Sequence, residues 1–222
     1  RERYAAPGEE EPIPFFHAVY HPFAVLFGNY SSLVQPPYDE LWPAESAPPE
    51  ALALLDKAFA QQFRLEQARA WVWGQQPTLA NFLPEHIQSR SQEIELFLSL
   101  ARLRRGFLDY FLYGTMLRPP TIPLDQEEIP ISRLSIYAGR NGAVTQYRKR
   151  MPIVLCGAWL SPDHDVAIAV VNISDRPQSF KLVLDRKQYP LSPHHYARMT
   201  SSTGITAPVQ PKRRLRNVTL EV

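Results

Sequence analysis

Two short stretches of this chain gather the side chains best suited to chemistry. The first, 14–30, reads PFFHAVYHPFAVLFGNY and carries His17, Tyr20, His21, Asn29 and Tyr30. The second, 68–77, reads ARAWVWGQQP and carries Trp71, Trp73, Gln75 and Gln76. Imidazole, phenol and carboxamide groups exchange hydrogen bonds, while indole and phenol rings offer flat apolar faces. That mixture suits a sugar, whose hydroxyls meet the polar groups and whose C–H side lies on a ring. Tyr20, His21, Tyr30, Trp73 and Gln75 form the candidate substrate-binding set. None of the five is a strong acid, so positioning rather than proton transfer is their expected role. Packing is the plainer role for His17 and Trp71. At His21, Trp73 and Gln75 packing and binding stand level.

The elements that would position these groups follow from the hydrophobic pattern. The run 15–20 is short, nearly continuous in apolar residues and bounded by prolines, which predicts a buried strand of a parallel sheet. In a β/α barrel the chemistry lies where such strands end. A long loop rich in aromatics and prolines follows over 22–47. A helix is expected over 49–64, with Leu52, Leu55, Phe59 and Phe63 as its buried stripe. The run 68–73 reads as a second short strand, with a continuing helix as the open alternative. A second long helix is expected over 89–113, capped by Ser89 or Ser91 and ended by a left-handed turn at Gly114. The order strand, helix, strand, helix is β/α grammar.

After about Pro120 the grammar changes. Short β-type runs are read at 131–138, 144–150, 153–160, 166–172, 179–184, 195–200 and 215–222. Turn-like separators such as Asn141-Gly142 and Ser161-Pro162-Asp163-His164 divide them. The fold class is therefore α/β plus all-β, divided into 1–122 and 123–222, the second part being an antiparallel β-sandwich. Within 166–172, alternation sets Val166, Ile168 and Val170 against Ala167, Ala169 and Val171. The larger set is expected in the core.

Composition bounds the function classes. The 222 residues are 45% hydrophobic and 21% charged, which is ordinary for a globular chain with a sizeable core. The net charge of +2 gives no electrostatic footprint for nucleic acid, and no apolar stretch reaches the ~18 residues that span a bilayer. The lone Cys156 excludes an internal disulfide and reads as a small core residue. No phosphate loop or dinucleotide fingerprint occurs, so no cofactor is expected. No metal is expected either. In a strand, His17 and His21 would lie roughly 13 Å apart and could not share an ion. The chain opens on Arg1 and not Met, so its parent is expected to begin upstream, and compartment is left undecided.

Two strand–helix repeats cannot close a barrel, which needs eight. The strings PFFHAVYHPFAVLFGNY, ARAWVWGQQP, DYFLYG and PIVLCGAWLSPDHDVAIAVVNISD resemble the C-terminal part of large glycoside-hydrolase-like proteins. That family joins an uncharacterised (β/α)8 barrel to a β-sandwich and is distantly similar to α-galactosidase and endo-α-N-acetylgalactosaminidase barrels. The resemblance covers nearly the whole chain. It implies that 15–20 and 68–73 are the last two strands of a TIM-type barrel and that 89–113 is its last helix. It implies a carbohydrate substrate as partner, together with the missing N-terminal barrel portion of the parent. Glycoside hydrolysis usually takes two carboxyl groups about 5 to 10 Å apart. Asp39 and Glu40 fit a proline-flanked turn better, Glu66 reads as a surface charge, and Asp109 reads as solvent-facing. The catalytic pair is therefore expected upstream of this chain. The alternative is a non-catalytic carbohydrate-binding or structural and interaction module.

Overall fold

A computed structural model describes residues 14–28, 31, 33–35, 53–54, 59–80, 82–134, 144–185, 187–191, 197–204, 206–209 and 218–221. The elements in order are α1 (Phe15–Tyr20), β1 (Val34–Gln35), β2 (Ala53–Leu54), α2 (Ala60–Val72), α3 (His86–Ser89), α4 (Ser91–Gly106) and α5 (Leu108–Phe111). The strands β3 (Thr115–Leu117), β4 (Gln126–Leu134), β5 (Val144–Pro152), β6 (Val154–Leu160) and β7 (Val166–Asn172) follow. The last are β8 (Ser179–Leu182), β9 (Ala197–Thr200), β10 (Thr206–Val209) and β11 (Val218–Glu221). Apart from the short β1–β2 pair, helices precede antiparallel sheets, and no helix occurs among the described residues after Phe111.

The two predicted barrel strands are helical. Residues 15–20 form α1, and 68–73 is the last turn and C-cap of α2. A short apolar run carries no periodicity of its own, so burial and neighbours decide its conformation. The sequence of α2, AQQFRLEQARAWV, consists mostly of good helix formers, and only its last residues look β-like. The helix expected over 49–64 accordingly begins later, at Ala60, and runs eight residues further. Ala53 and Leu54 pair instead with Val34 and Gln35. Among the described residues, parallel pairing is confined to one bridge, Phe27 with Gln76, just beyond the two helices. Its backbone bonds run from Gly28 N–H to the Gln76 carbonyl (2.8 Å) and from Gln76 N–H to the Leu26 carbonyl (2.7 Å).

The helix expected over 89–113 divides into α4 and α5 at Phe107, whose φ of −130° and ψ of 39° leave the helical region. Gly114 does not take a left-handed conformation; Gly74 and Gly204 are the described glycines that do. A Cβ at Gly114 would stand 2.5 Å from the Tyr110 carbonyl oxygen and 2.7 Å from that of Leu160. The residue is there for close approach of the α5 exit to β6.

The β half follows its sequence pattern from Val144 to Leu182, whereas the run expected over 131–138 begins earlier, at Gln126, and β3 was not read. β4 and β5 form the longest ladder, from Gln126↔Pro152 to Leu134↔Val144, with the Asn141-Gly142 turn outside the described residues. β3, β6 and β7 form a three-stranded antiparallel sheet with β6 central. β8 pairs with β11, and β9 pairs with β10. β10 escaped the sequence reading because Pro208 lies within it, and proline is tolerated only where no ladder hydrogen bond is lost.

One core joins the helices to the sheets. Leu65, Ala68, Trp71 and Val72 of α2 pack with Leu100, Phe111, Ile129, Ile131, Leu155, Trp159 and Val171. α2 lies on the β6 face that carries Leu155, Gly157 and Trp159, and their partners Val171, Ala169 and Ala167 share that face. The expected core face of β7 is thereby reversed. Ala169 and Val171 are fully buried, while Val166, Ile168 and Val170 are only partly so. The helix approaches too closely for large side chains, because a Cβ at Gly157 would collide with the Val72 carbonyl oxygen. Cys156 lies partly buried on the opposite face, and burial pushes its thiol up to about 12.

Gly157→Ala should therefore force α2 off the sheet and lower stability by about 2 to 3 kcal/mol, as overpacking does. Gly106→Ala, at the end of α4 with nothing within 4 Å of the added methyl group, should leave stability unchanged or raise it. Urea midpoints of the two variants against the parent measure the difference. Equal midpoints for both would mean that the close approach carries no energy.

Candidate functional site

The last turn of α2 ends in a Schellman motif. Gly74 N–H bonds the Trp71 carbonyl (2.9 Å) and Gln75 N–H bonds the Ala70 carbonyl (2.9 Å). Gly74 carries the required left-handed φ of 71°. Its missing side chain also makes room, since a Cβ would stand 2.5 Å from the Trp159 ring and 3.0 Å from the His21 ring. The Val72 carbonyl accepts a hydrogen bond from the Trp159 indole N–H at 3.1 Å.

Arg104 of α4 completes this end of the helix. Its Nε donates to the Gln75 carbonyl (3.2 Å), and one terminal nitrogen donates to the carbonyls of Gly74 (3.2 Å) and Phe111 (3.1 Å). A guanidinium presents several donors in a fixed fork, so one side chain can tie two helix ends together. Burial lowers its pKa, and helix C-termini favour a cation. Arg104 follows the buried Leu100 by four residues on the same face of α4, and that register was the signal available in the sequence.

α1 docks on this platform through two histidines. His17 stacks on Trp73 with ring centroids 5.1 Å apart, and its Nε2 contacts the Gln75 side-chain amide nitrogen. His21 stacks on Trp159 at 4.6 Å and is 4% exposed. Desolvation lowers the pKa of both rings, and Arg104 and His17 lower that of His21 further. Both nitrogens of His21 and Nδ1 of His17 are buried without a hydrogen-bond partner.

The structure thus brings together His21, Trp73 and Gln75 of the predicted set, although on helices and not at strand ends. His21 and Gln75 are buried, and Trp73 is half-buried beneath His17, with the Arg69 guanidinium 5.6 Å from its ring centroid. Tyr20 lies half exposed on α1, stacked on Phe16 at 4.6 Å. Tyr30 lies outside the described residues, as do Asp39, Glu40 and Trp42. The two histidines are four apart on helical backbone, so the 13 Å strand separation invoked against a shared ion does not apply. Among the described residues, no group of three or more His, Cys, Asp and Glu residues could hold a metal ion.

Two carboxylates are buried elsewhere. Glu66 is not at the surface: it is 3% exposed on α2 and accepts from the Gln62 amide at 3.2 Å. Glu93 of α4 pairs with Arg64 at 3.3 Å. Neither contributes to the pKa shifts of the histidine pair, so the cluster offers ring faces, neutral hydrogen-bonding groups and the Arg104 guanidinium, with no described carboxylate acting on it. No helix among the described residues is long and apolar enough to cross a membrane. No family model, curated protein or solved structure matches the chain.

Arg104→Met should leave three carbonyls without their charged donor and cost at least about 3 kcal/mol. Arg104→Lys should recover only part, because an ammonium cannot span the same fork. Chemical denaturation of both variants checks the order. A methionine variant as stable as the parent would remove Arg104 from the architecture of the site.

Proposed function

We propose that this chain is the carbohydrate-positioning part of a glycoside-hydrolase-like protein, with the catalytic carboxylates supplied upstream. The observation that carries the reading is the placement of Tyr20 on the same short helix whose His17 covers Trp73 and meets Gln75. Tyr20 and the open part of Trp73 supply apolar ring faces to the sugar. His21 and Gln75 are buried, so they hold the rings in place and do not touch the sugar directly. The chain contributes helices and not barrel strands to this site. In the finer architecture we propose, the β3–β6–β7 sheet and the β4–β5 and β8–β11 ladders are layers of one sandwich. The resemblance to glycoside-hydrolase-like proteins supports the sugar as substrate class.

A second reading, an interaction module, is favoured by one observation. Phe15, Phe16, Val19, Phe23, Val25 and Phe27 are all exposed along one segment, with Phe23 at 83%. Apolar patches of this kind mark interaction surfaces on soluble proteins. In the first reading the upstream part of the parent covers them.

Calorimetric titration with a panel of neutral mono- and oligosaccharides separates the two. Binding by the parent chain, weakened about fivefold in Tyr20→Ala with unchanged circular dichroism, supports sugar positioning, since stacking contributes on the order of 1 kcal/mol. No saccharide binding, or binding indifferent to both Tyr20→Ala and Trp73→Ala, would overturn it.

A further inference from the structure

We propose that α1 is a histidine-latched strap that acidification releases from the end of α2. No residue of α1 is fully buried, and His21, directly after it, is the one fully buried residue in 14–28. Large apolar side chains on the segment point outward. Besides its approach to β3, the side chains it sets against the body are two imidazole rings, His17 on Trp73 and Gln75, and His21 on Trp159 and Gly74. The other end of the segment is fixed differently, by the backbone bonds of Leu26 and Gly28 to Gln76. Those bonds do not titrate, so they serve as the hinge.

The charges around the latch share one sign. Arg104 of α4 acts on His21, and Arg69 of α2 lies over Trp73 behind His17. β3, which lies against α1, is Thr115, Met116 and Leu117 and carries no ionisable side chain. No Asp or Glu among the described residues acts on either ring. A proton on His21 creates an imidazolium beside a buried guanidinium, and a proton on His17 creates a charge whose neighbour at Nε2 is the neutral Gln75 amide. Neither charge finds a carboxylate, and burial without a partner disfavours the charged form.

The direction in pH follows. Both rings titrate below the ordinary histidine value of 6.5 while the strap is closed. The closed form therefore binds fewer protons than the open one. Closure is fully favoured above pH 6.5 and is lost as pH falls below it. Each histidine raises the open-to-closed ratio by up to about tenfold per pH unit in that window. His86, also buried with a lowered pKa, belongs to α3, and its Nδ1 accepts from Leu83 N–H, so its protonation acts on a different segment.

Hydrogen exchange read by mass spectrometry on the full chain at pH 7.5 and 5.5, corrected for intrinsic exchange, tests the proposal. Peptides within 14–28 should lose protection at the lower pH, by up to about tenfold per histidine, while β6 and β7 keep theirs. His21→Phe retains a ring against Trp159 and should weaken the pH response. Gln75→Glu supplies the absent carboxylate and should move release to lower pH without changing the fold at pH 7.5. Equal protection of 14–28 at both pH values would overturn the proposal. So would an unchanged response in both variants, or simultaneous loss of protection throughout the chain.

Discussion

The carbonyl oxygens at the end of α2 set the terms for everything around them. A helix leaves its last carbonyls unbonded, and this helix ends inside the protein, where water cannot complete them. The chain answers from three directions. Its own turn takes Ala70 and Trp71, the Trp159 indole takes Val72, and the Arg104 fork takes Gly74 and Gln75. These partners come from the turn itself, from β6 and from α4. Satisfying one helix end therefore fixes the sheet, the second long helix and the α5 exit relative to one another. Geometry so constrained leaves a small, rigid platform, and α1 rests on it.

That dependence explains where the sequence was legible. β7 was read at 166–172 and occupies those residues, and β5 was read to within two residues. Alternation and turn chemistry are local properties, and an antiparallel ladder needs little else. α1 was read as a strand, and the end of α2 as a strand with a continuing helix as the alternative, because so short a run carries no decisive periodicity by itself. What makes them helical is distant: Trp159 lies 87 positions from its Val72 acceptor. Of the site, His21, Trp73 and Gln75 were singled out for their chemistry, and the fold gathers them for a different reason. Arg104 was missed because a buried arginine contradicts its usual preference, although its helical register pointed inward.

Burial changes what these residues can do. An imidazole stacked on an indole and held near a guanidinium is a poor proton carrier at neutral pH, and an excellent structural ring. The exposed rings of α1 are the reverse, poorly packed and free to meet a ligand or a surface. The segment 14–28 thus has an inner side made of titratable groups and an outer side made of apolar ones. In most surface helices the order is opposite, with apolar groups inside.

The close approaches at Gly157, to Val72, and at Gly74, to Trp159, also limit how this region can change over generations. Position 157 is closed by backbone, so no shrinkage of a neighbouring side chain would open it to a larger residue. Position 74 is closed twice, by the indole and by its own left-handed φ, so losing the indole would still leave glycine preferred. The indole can be reduced without changing position 74, at the cost of a cavity and of the donor to the Val72 carbonyl. Change at position 74 is therefore one-way: Trp159 could be lost and the glycine kept, but the glycine could not be replaced first with the tryptophan kept where it is.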